Sequence, residues 1–190
     1  MRDGRYDKGA MSANPTGRVA WAMDLDRVEA LSADLERVAE EHEAAPELMR
    51  ALVGLFKRRV PHYHWVGIYL LEGDDLLLGP FSGKPSPHAR IPVGQGICGA
   101  AAQARHSINV PDVRTDDRYL ACSLETRSEL VVPILDGDTV LGEIDIDSDQ
   151  ANAFNEHDQA LLERAASFIA GAIGRAAEPP RWTAPEPVNA

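Results

Sequence analysis

Residues 129–148 read ELVVPILDGDTVLGEIDIDS. Two apolar runs flank the turn residues DGDT, a pattern that predicts a β-hairpin. In the second run Glu143, Asp145 and Asp147 alternate with Gly142, Ile144 and Ile146. The side-chain period of a strand is two, so the three carboxylates share one face and the isoleucines the other. A solvated outer face is the ordinary explanation of such alternation. Glu129 argues for more, because it opens the first run, where antiparallel pairing would bring it beside Asp147. Like charges so placed repel one another unless a cation compensates them. The mouth of this hairpin is therefore a candidate site for an ammonium group or a metal ion.

Outward from the hairpin the same punctuation recurs. HWVGIYLLEG, a turn at 73–75 and DDLLLGPF predict another hairpin upstream. The segment SGKPSPHARIPVGQG is loop-rich around a short ARIPV strand, GICGAAAQAR reads as a short helix entered through glycines, and SINVPDV as a brief strand. PDVRTDDRYLACSLETRS is a polar connection back to Glu129. Helices bracket these strands. Leu25, Val28, Leu31, Leu35 and Val38 recur at three- and four-residue steps, predicting an amphipathic helix from Asp24 to about Glu43, with Asp24 as its cap. PELMRALVGLFKRRV predicts a second, with Pro46 in its first turn and its end before Pro61. NEHDQALLERAASFIAGAIGRA predicts a third, capped by Asn155, with Leu161, Leu162, Ala165, Phe168, Ile169 and Ala172 on one face. Hairpins with flanking helices and no βαβ alternation define an α+β class, an antiparallel sheet covered by helices. The expected organisation is a flexible leader over 1–20, a single domain over 21–177 with its first helix from about residue 24, and a Pro-rich disordered tail over 178–190.

The 190-residue chain carries a formal charge of −11 and 44% hydrophobic residues. That suffices for one packed core, and the negative surface disfavours nucleic acid and anionic membrane as partners. The first residues, MRDGRYDKGAMSANPTGR, are charged with no apolar core, unlike a secretory signal. The expected location is a reducing cytoplasm, where the two cysteines are not a permanent structural disulfide.

Cys122 lies in the polar connection, seven residues before Glu129, and Cys98 at the start of the short helix, where free N–H groups favour a thiolate. Each is either an inert packing residue or redox-active. A zinc site joining both to His62, His64 or His88 lacks any CxxC or HxxxH pair. There is no GxSxG elbow, and PVGQGICG has no lysine at the spacing of a phosphate-binding loop.

HWVGIYLLEGDDLLLGPFSGKP, RIPVGQGICGAA, LAC, SELVVPI and LGEIDIDS together resemble the free methionine-(R)-sulfoxide reductase family, over roughly residues 45–175. The resemblance implies a single GAF domain, with a central antiparallel sheet flanked by helices, that reduces free methionine sulfoxide. It implies that Cys122 attacks the sulfoxide sulfur and Cys98 helps resolve the product. It also implies that Glu129, Asp145 and Asp147 hold the substrate and that Trp65 lines the pocket. No bound metal or cofactor is implied. The reductant would be thioredoxin, recharged from NADPH, and the assembly a homodimer. The chain departs from the pattern at two places. The family commonly has a further cysteine just before the RIP strand, where SPHA here puts Pro87 or His88, and an aspartate where Ser123 follows Cys122. The alternative expectation is a non-catalytic GAF module that binds a small ligand or senses redox state through Cys98 and Cys122.

In chemical terms, a nucleophilic thiol needs access, which a loop beside a pocket provides. The Cys122 thiolate would attack sulfur while an acid protonates the oxygen, leaving methionine and a Cys122 sulfenic acid. Cys98 would condense with it to a disulfide, which thiol exchange reopens. Of three acids in one pocket, one would stay protonated and serve as the proton donor.

Overall fold

The computed structural model describes residues 23–120 and 123–189. The expected leader, residues 1–20, lies outside them, and so does Cys122.

Helix α1 (Leu25–Glu41) starts where the Asp24 carboxylate accepts the Arg27 N–H at 3.1 Å. It buries Leu31, Leu35 and Val38, whereas Leu25 is left in solvent at the first turn. Helix α2 (Ala45–Arg59) buries Leu48, Met49, Leu52, Val53, Leu55 and Phe56. Lys57 then ties down the reversal into the sheet, donating to the carbonyls of Tyr63 (3.2 Å) and His64 (2.6 Å).

Strands β1 (Trp65–Glu72) and β2 (Asp75–Ser82) form the first hairpin, and β5 (Ser128–Asp136) and β6 (Thr139–Ser148) the other. Each closes through a two-residue Gly-Asp loop whose glycine has positive φ, 64° at Gly73 and 57° at Gly137. A tight hairpin turn with a right-handed twist requires such a residue first. Short strands β3 (Arg90–Pro92) and β4 (Ile108–Val110) sit at the two edges, and helix α3 (Gly96–Ala104) connects them. The strand order is β3-β2-β1-β6-β5-β4, antiparallel throughout this path. The two hairpins therefore meet along β1 and β6.

Alternation assigns the two faces. Val66, Ile68, Leu70, Leu130, Val132, Ile134, Ile144 and Ile146 pack with the apolar faces of α1, α2 and helix α4 (Glu156–Arg175). Each such side chain, fully buried, contributes roughly 1.5–3 kcal/mol. Asn155 caps α4 in a reciprocal capping box with Asp158. The opposite face carries Trp65, Tyr69, Val131 and, from α3, Ile97, Cys98, Ala101 and Ala102.

The disordered tail expected over 178–190 is corrected for the described residues. Strand β7 (Glu186–Pro187) pairs in parallel with Pro80 and Phe81, and Val188 N–H donates to the Phe81 carbonyl at 2.7 Å. Glu186 accepts from Arg50 Nε at 2.7 Å and from Trp182 Nε1 at 3.0 Å. Proline excludes helix and the middle of a sheet, yet it is compatible with an edge, and β3 leaves this end of β2 uncovered.

Candidate active site

Register puts the site together. Across three strands, Trp65 pairs with Asp147 and Asp147 with Glu129, so they form one row. The next row on the same face is Gly67, Asp145 and Val131, and the one after it Tyr69, Glu143 and Pro133. The pairing of Glu129 with Asp147 expected from the hairpin is present. The solvated face that alternation alone would suggest is not: Glu129, Glu143, Asp145 and Asp147 are all buried.

Gly67 is what lets an indole lie along this face. A Cβ built there would stand 2.1 Å from the outer edge of the Trp65 ring. The ring stacks on Phe81 (6.1 Å between centroids), and its Nε1 donates to the Lys84 carbonyl at 2.9 Å. Tyr69 reaches the same loop, its hydroxyl donating to the His88 carbonyl at 3.1 Å.

Helix α3 delivers Cys98 from above. Its Sγ lies 3.5 Å from Asp145 Oδ2 and 3.6 Å from Glu129 Oε1. Gly99 allows this docking, because a Cβ there would meet the Pro92 carbonyl at 2.4 Å. Among the described residues no ion pair is made by the four carboxylates. Neither oxygen of Glu143, nor Oδ1 of Asp145, has a hydrogen-bond partner there. Burial pushes Glu143 up to about 8, with the Cys98 thiol pulling the other way. Burial, then the neighbouring Glu143 charge, pushes Asp145 up to about 8. Burial and then Asp145 raise both Glu129 and Asp147 well above the usual carboxylate range.

Beside this cluster, His64, Trp65, Lys84, Ser86, Ser123, Glu125, Thr126, Asp147 and Asp149 line a pocket of about 70 Å³. A Lys84–Glu125 ion pair crosses it, joining the β2–β3 loop to the segment that follows Cys122. His64 Nδ1 accepts the Asp149 N–H at 3.0 Å, which leaves the proton of the neutral ring on Nε2, and burial lowers its pKa.

The structure thus brings together Cys98, Glu129, Asp145, Asp147 and Trp65, and Cys122 lies outside the described residues. Among the described residues the donors grouped with Cys98 are Glu129 and Asp145, and not His62, His64 or His88. His62 is 2.9 Å from Asp158 on the opposite face, and His64 accepts from Asp149. Glu143 was visible in the alternation as a member of the acidic face. His64 was named only as a candidate zinc ligand, and Thr126, Lys84 and Tyr69 were not singled out, since their convergence depends on loops whose course no periodicity reports.

Residues 20–173 match the family described as the GAF domain, so this chain belongs to the GAF family. Within it stand named reductases of a small molecule. Free methionine-R-sulfoxide reductase of Escherichia coli is 39% identical over 110 residues, covering 58% of this chain and 66% of that protein. The structure of the type II free methionine-R-sulfoxide reductase from Thermoplasma acidophilum is 38% identical, with a TM-score of 0.66 over 71% of this chain and 94% of that one. The Neisseria meningitidis free methionine-R-sulfoxide reductase, solved with its substrate, is 28% identical, with a TM-score of 0.73 over 80% of this chain and 92% of that one. The match spans just under two thirds of the length of the E. coli protein and of two further curated relatives.

Proposed function

We propose that this chain reduces free methionine (R)-sulfoxide to methionine with thiols as the electron source. One observation carries the reading: four buried carboxylates on one sheet face, without an ion pair among the described residues, two of them against a thiol and one lining an indole-walled pocket. An arriving ammonium group supplies the missing charge, and the raised pKa values leave at least one carboxyl protonated as a donor to the sulfoxide oxygen. Trp65 offers an apolar wall to the thioether end.

In this reading the Cys122 thiolate attacks sulfur, the oxygen passes to Cys122 as a sulfenic acid, and methionine leaves. Cys98 then attacks the sulfenic sulfur, expelling water and forming a Cys98–Cys122 disulfide. A thioredoxin-type dithiol, recharged from NADPH, takes up the disulfide. No bound cofactor enters. A homodimer in the cytoplasm fits the resemblance, and no helix among the described residues is long and apolar enough to cross a membrane. The second reading, a non-catalytic module that binds a ligand or senses redox state, draws on one feature: His88 or Pro87 stands where a further thiol is common.

Thioredoxin-coupled NADPH consumption separates the two. Free methionine (R)-sulfoxide is expected to be turned over and the N-acetylated compound rejected by at least ~100-fold. Without an ammonium group the acids stay buried and unpaired, at a cost of several kcal/mol. Equal turnover of both would remove the carboxylates from substrate recognition, and turnover of neither would favour the binding module.

A further inference from the structure

For an ammonium group the carboxylates suffice, and a thiol between two of them adds nothing. A sulfhydryl has one hydrogen. Cys98 Sγ nevertheless stands at nearly equal distance from Asp145 Oδ2 (3.5 Å) and Glu129 Oε1 (3.6 Å). Only one of these contacts can use that hydrogen.

The spacing has another meaning. Zinc binds thiolate at about 2.3 Å and carboxylate oxygen at about 2.0–2.2 Å, usually in a tetrahedron. Those bond lengths place a sulfur and an oxygen ligand about 3.5 Å apart. Both Cys98 contacts have this edge length, and one ligand atom each from Cys98, Glu129 and Asp145 lie within 4.8 Å of one another. An independent observation marks a ligand's place: the wholly buried Glu143, two residues from Asp145 on the same face, has neither oxygen hydrogen-bonded among the described residues.

We propose that reduced Cys98, with Glu129 and Asp145, forms an inhibitory binding site for a borderline-soft divalent cation, of which Zn²⁺ is the type, with water as its fourth ligand. Hard cations fit poorly, since magnesium and calcium take six or more oxygen ligands. Binding converts the thiol to a thiolate and releases its proton. The metal then fills the proposed ammonium position and removes Cys98 from thiol chemistry together. That second consequence rests on the reductase reading, whereas the metal site itself does not.

The test is a titration of the reduced, metal-free full chain with Zn²⁺ by calorimetry, and with Co²⁺ by absorbance. One ion per chain is expected, with a thiolate-to-cobalt charge-transfer band in the near ultraviolet. Cys98→Ala should abolish the band and weaken Zn²⁺ binding at least ~100-fold. The near-isosteric Glu129→Gln, its fold checked by circular dichroism, should weaken binding ~10-fold or more, and Cys122→Ser should leave it unchanged. Absence of stoichiometric binding, a band that survives Cys98→Ala, or a band lost in Cys122→Ser would each overturn the site. If the site stands, Zn²⁺ should inhibit sulfoxide reduction in competition with substrate, reversibly with a chelator. Binding without such inhibition overturns the inhibitory role alone, and a chain with no reductase activity but intact binding counts against the proposed function instead.

Discussion

A carboxyl group held protonated near neutral pH is a stored proton, and the acidic face holds several together. The energetic consequence has a definite sign. Glu143 titrates near 4.5 when unfolded and is pushed up to about 8 when folded, so the folded state binds more protons between those values. Its contribution is fully present below pH 4.5 and is lost as pH rises through 8, at about 1.4 kcal/mol per pH unit. Urea denaturation of the metal-free protein should show stability falling from pH 5 to 8. Glu143→Gln should flatten that slope by roughly one group's share, and an unaltered slope would mean that Glu143 is charged in the fold. Cys122→Ser tests the nucleophile at the same scale. A hydroxyl attacks sulfur far more weakly than a thiolate, so sulfoxide reduction should drop by at least ~10³-fold with an unchanged circular dichroism spectrum. Comparable turnover would remove Cys122 from the chemistry. Residue by residue, the sequence was legible where the period of two applied. Glu129 lies on the same sheet face as the acids by that period, but it meets Asp147 because the ladder shifts by one residue between Ile134 and Leu135. The two-residue turn alone would set it opposite Ile146. The contact of Cys98 with these acids was not legible, because it depends on where a helix from another part of the chain comes to rest.

At the scale of elements, helices and hairpins followed their caps and turns closely: Asp24, Asn155, Gly73 and Gly137 stand where chain geometry needs them. Leu25 shows the limit, since it fits the apolar spacing of α1 yet lies before the turn that meets the core. The tail shows another. Its prolines excluded helix, but whether it stayed in solvent depended on an open sheet edge about a hundred residues earlier. Within β1, Gly67 is the position with least room. Gly67→Ala forces Trp65 off the acidic face, and displacing so large a ring should cost roughly 1–3 kcal/mol. The expected result is a lower denaturation midpoint together with altered Trp65 fluorescence. A variant with wild-type stability and spectrum would show that the indole has another resting place.

For the whole molecule, the sheet is sealed at β2 by the last described residues. Ending the chain after residue 177 removes β7 and the cover that Trp182 gives beside Gly79. The loss of one such half-buried aromatic is worth about 1 kcal/mol, which for a chain of this size lowers the melting temperature by about 3 °C. Sulfoxide reduction should persist at lower temperature, since no tail residue lines the pocket. Loss of activity in a folded truncated chain would tie the tail to the site.

The junction of β1 with β6 also orders events in time. Each hairpin joins neighbouring stretches of chain and can close locally, on a scale of about 1–10 μs. Their mutual docking brings together segments far apart in the chain, and such long-range closure is the slow part of folding. The row Trp65–Asp147–Glu129 is cut by that junction. A chain still being synthesised therefore has no pocket until Asp147 has left the ribosome, however complete its first hairpin. Until then the acids remain hydrated, ionised and ordinary. Burial of charge and assembly of the pocket are one late event, so a partly folded chain presents a solvated acidic strand in place of a half-made site.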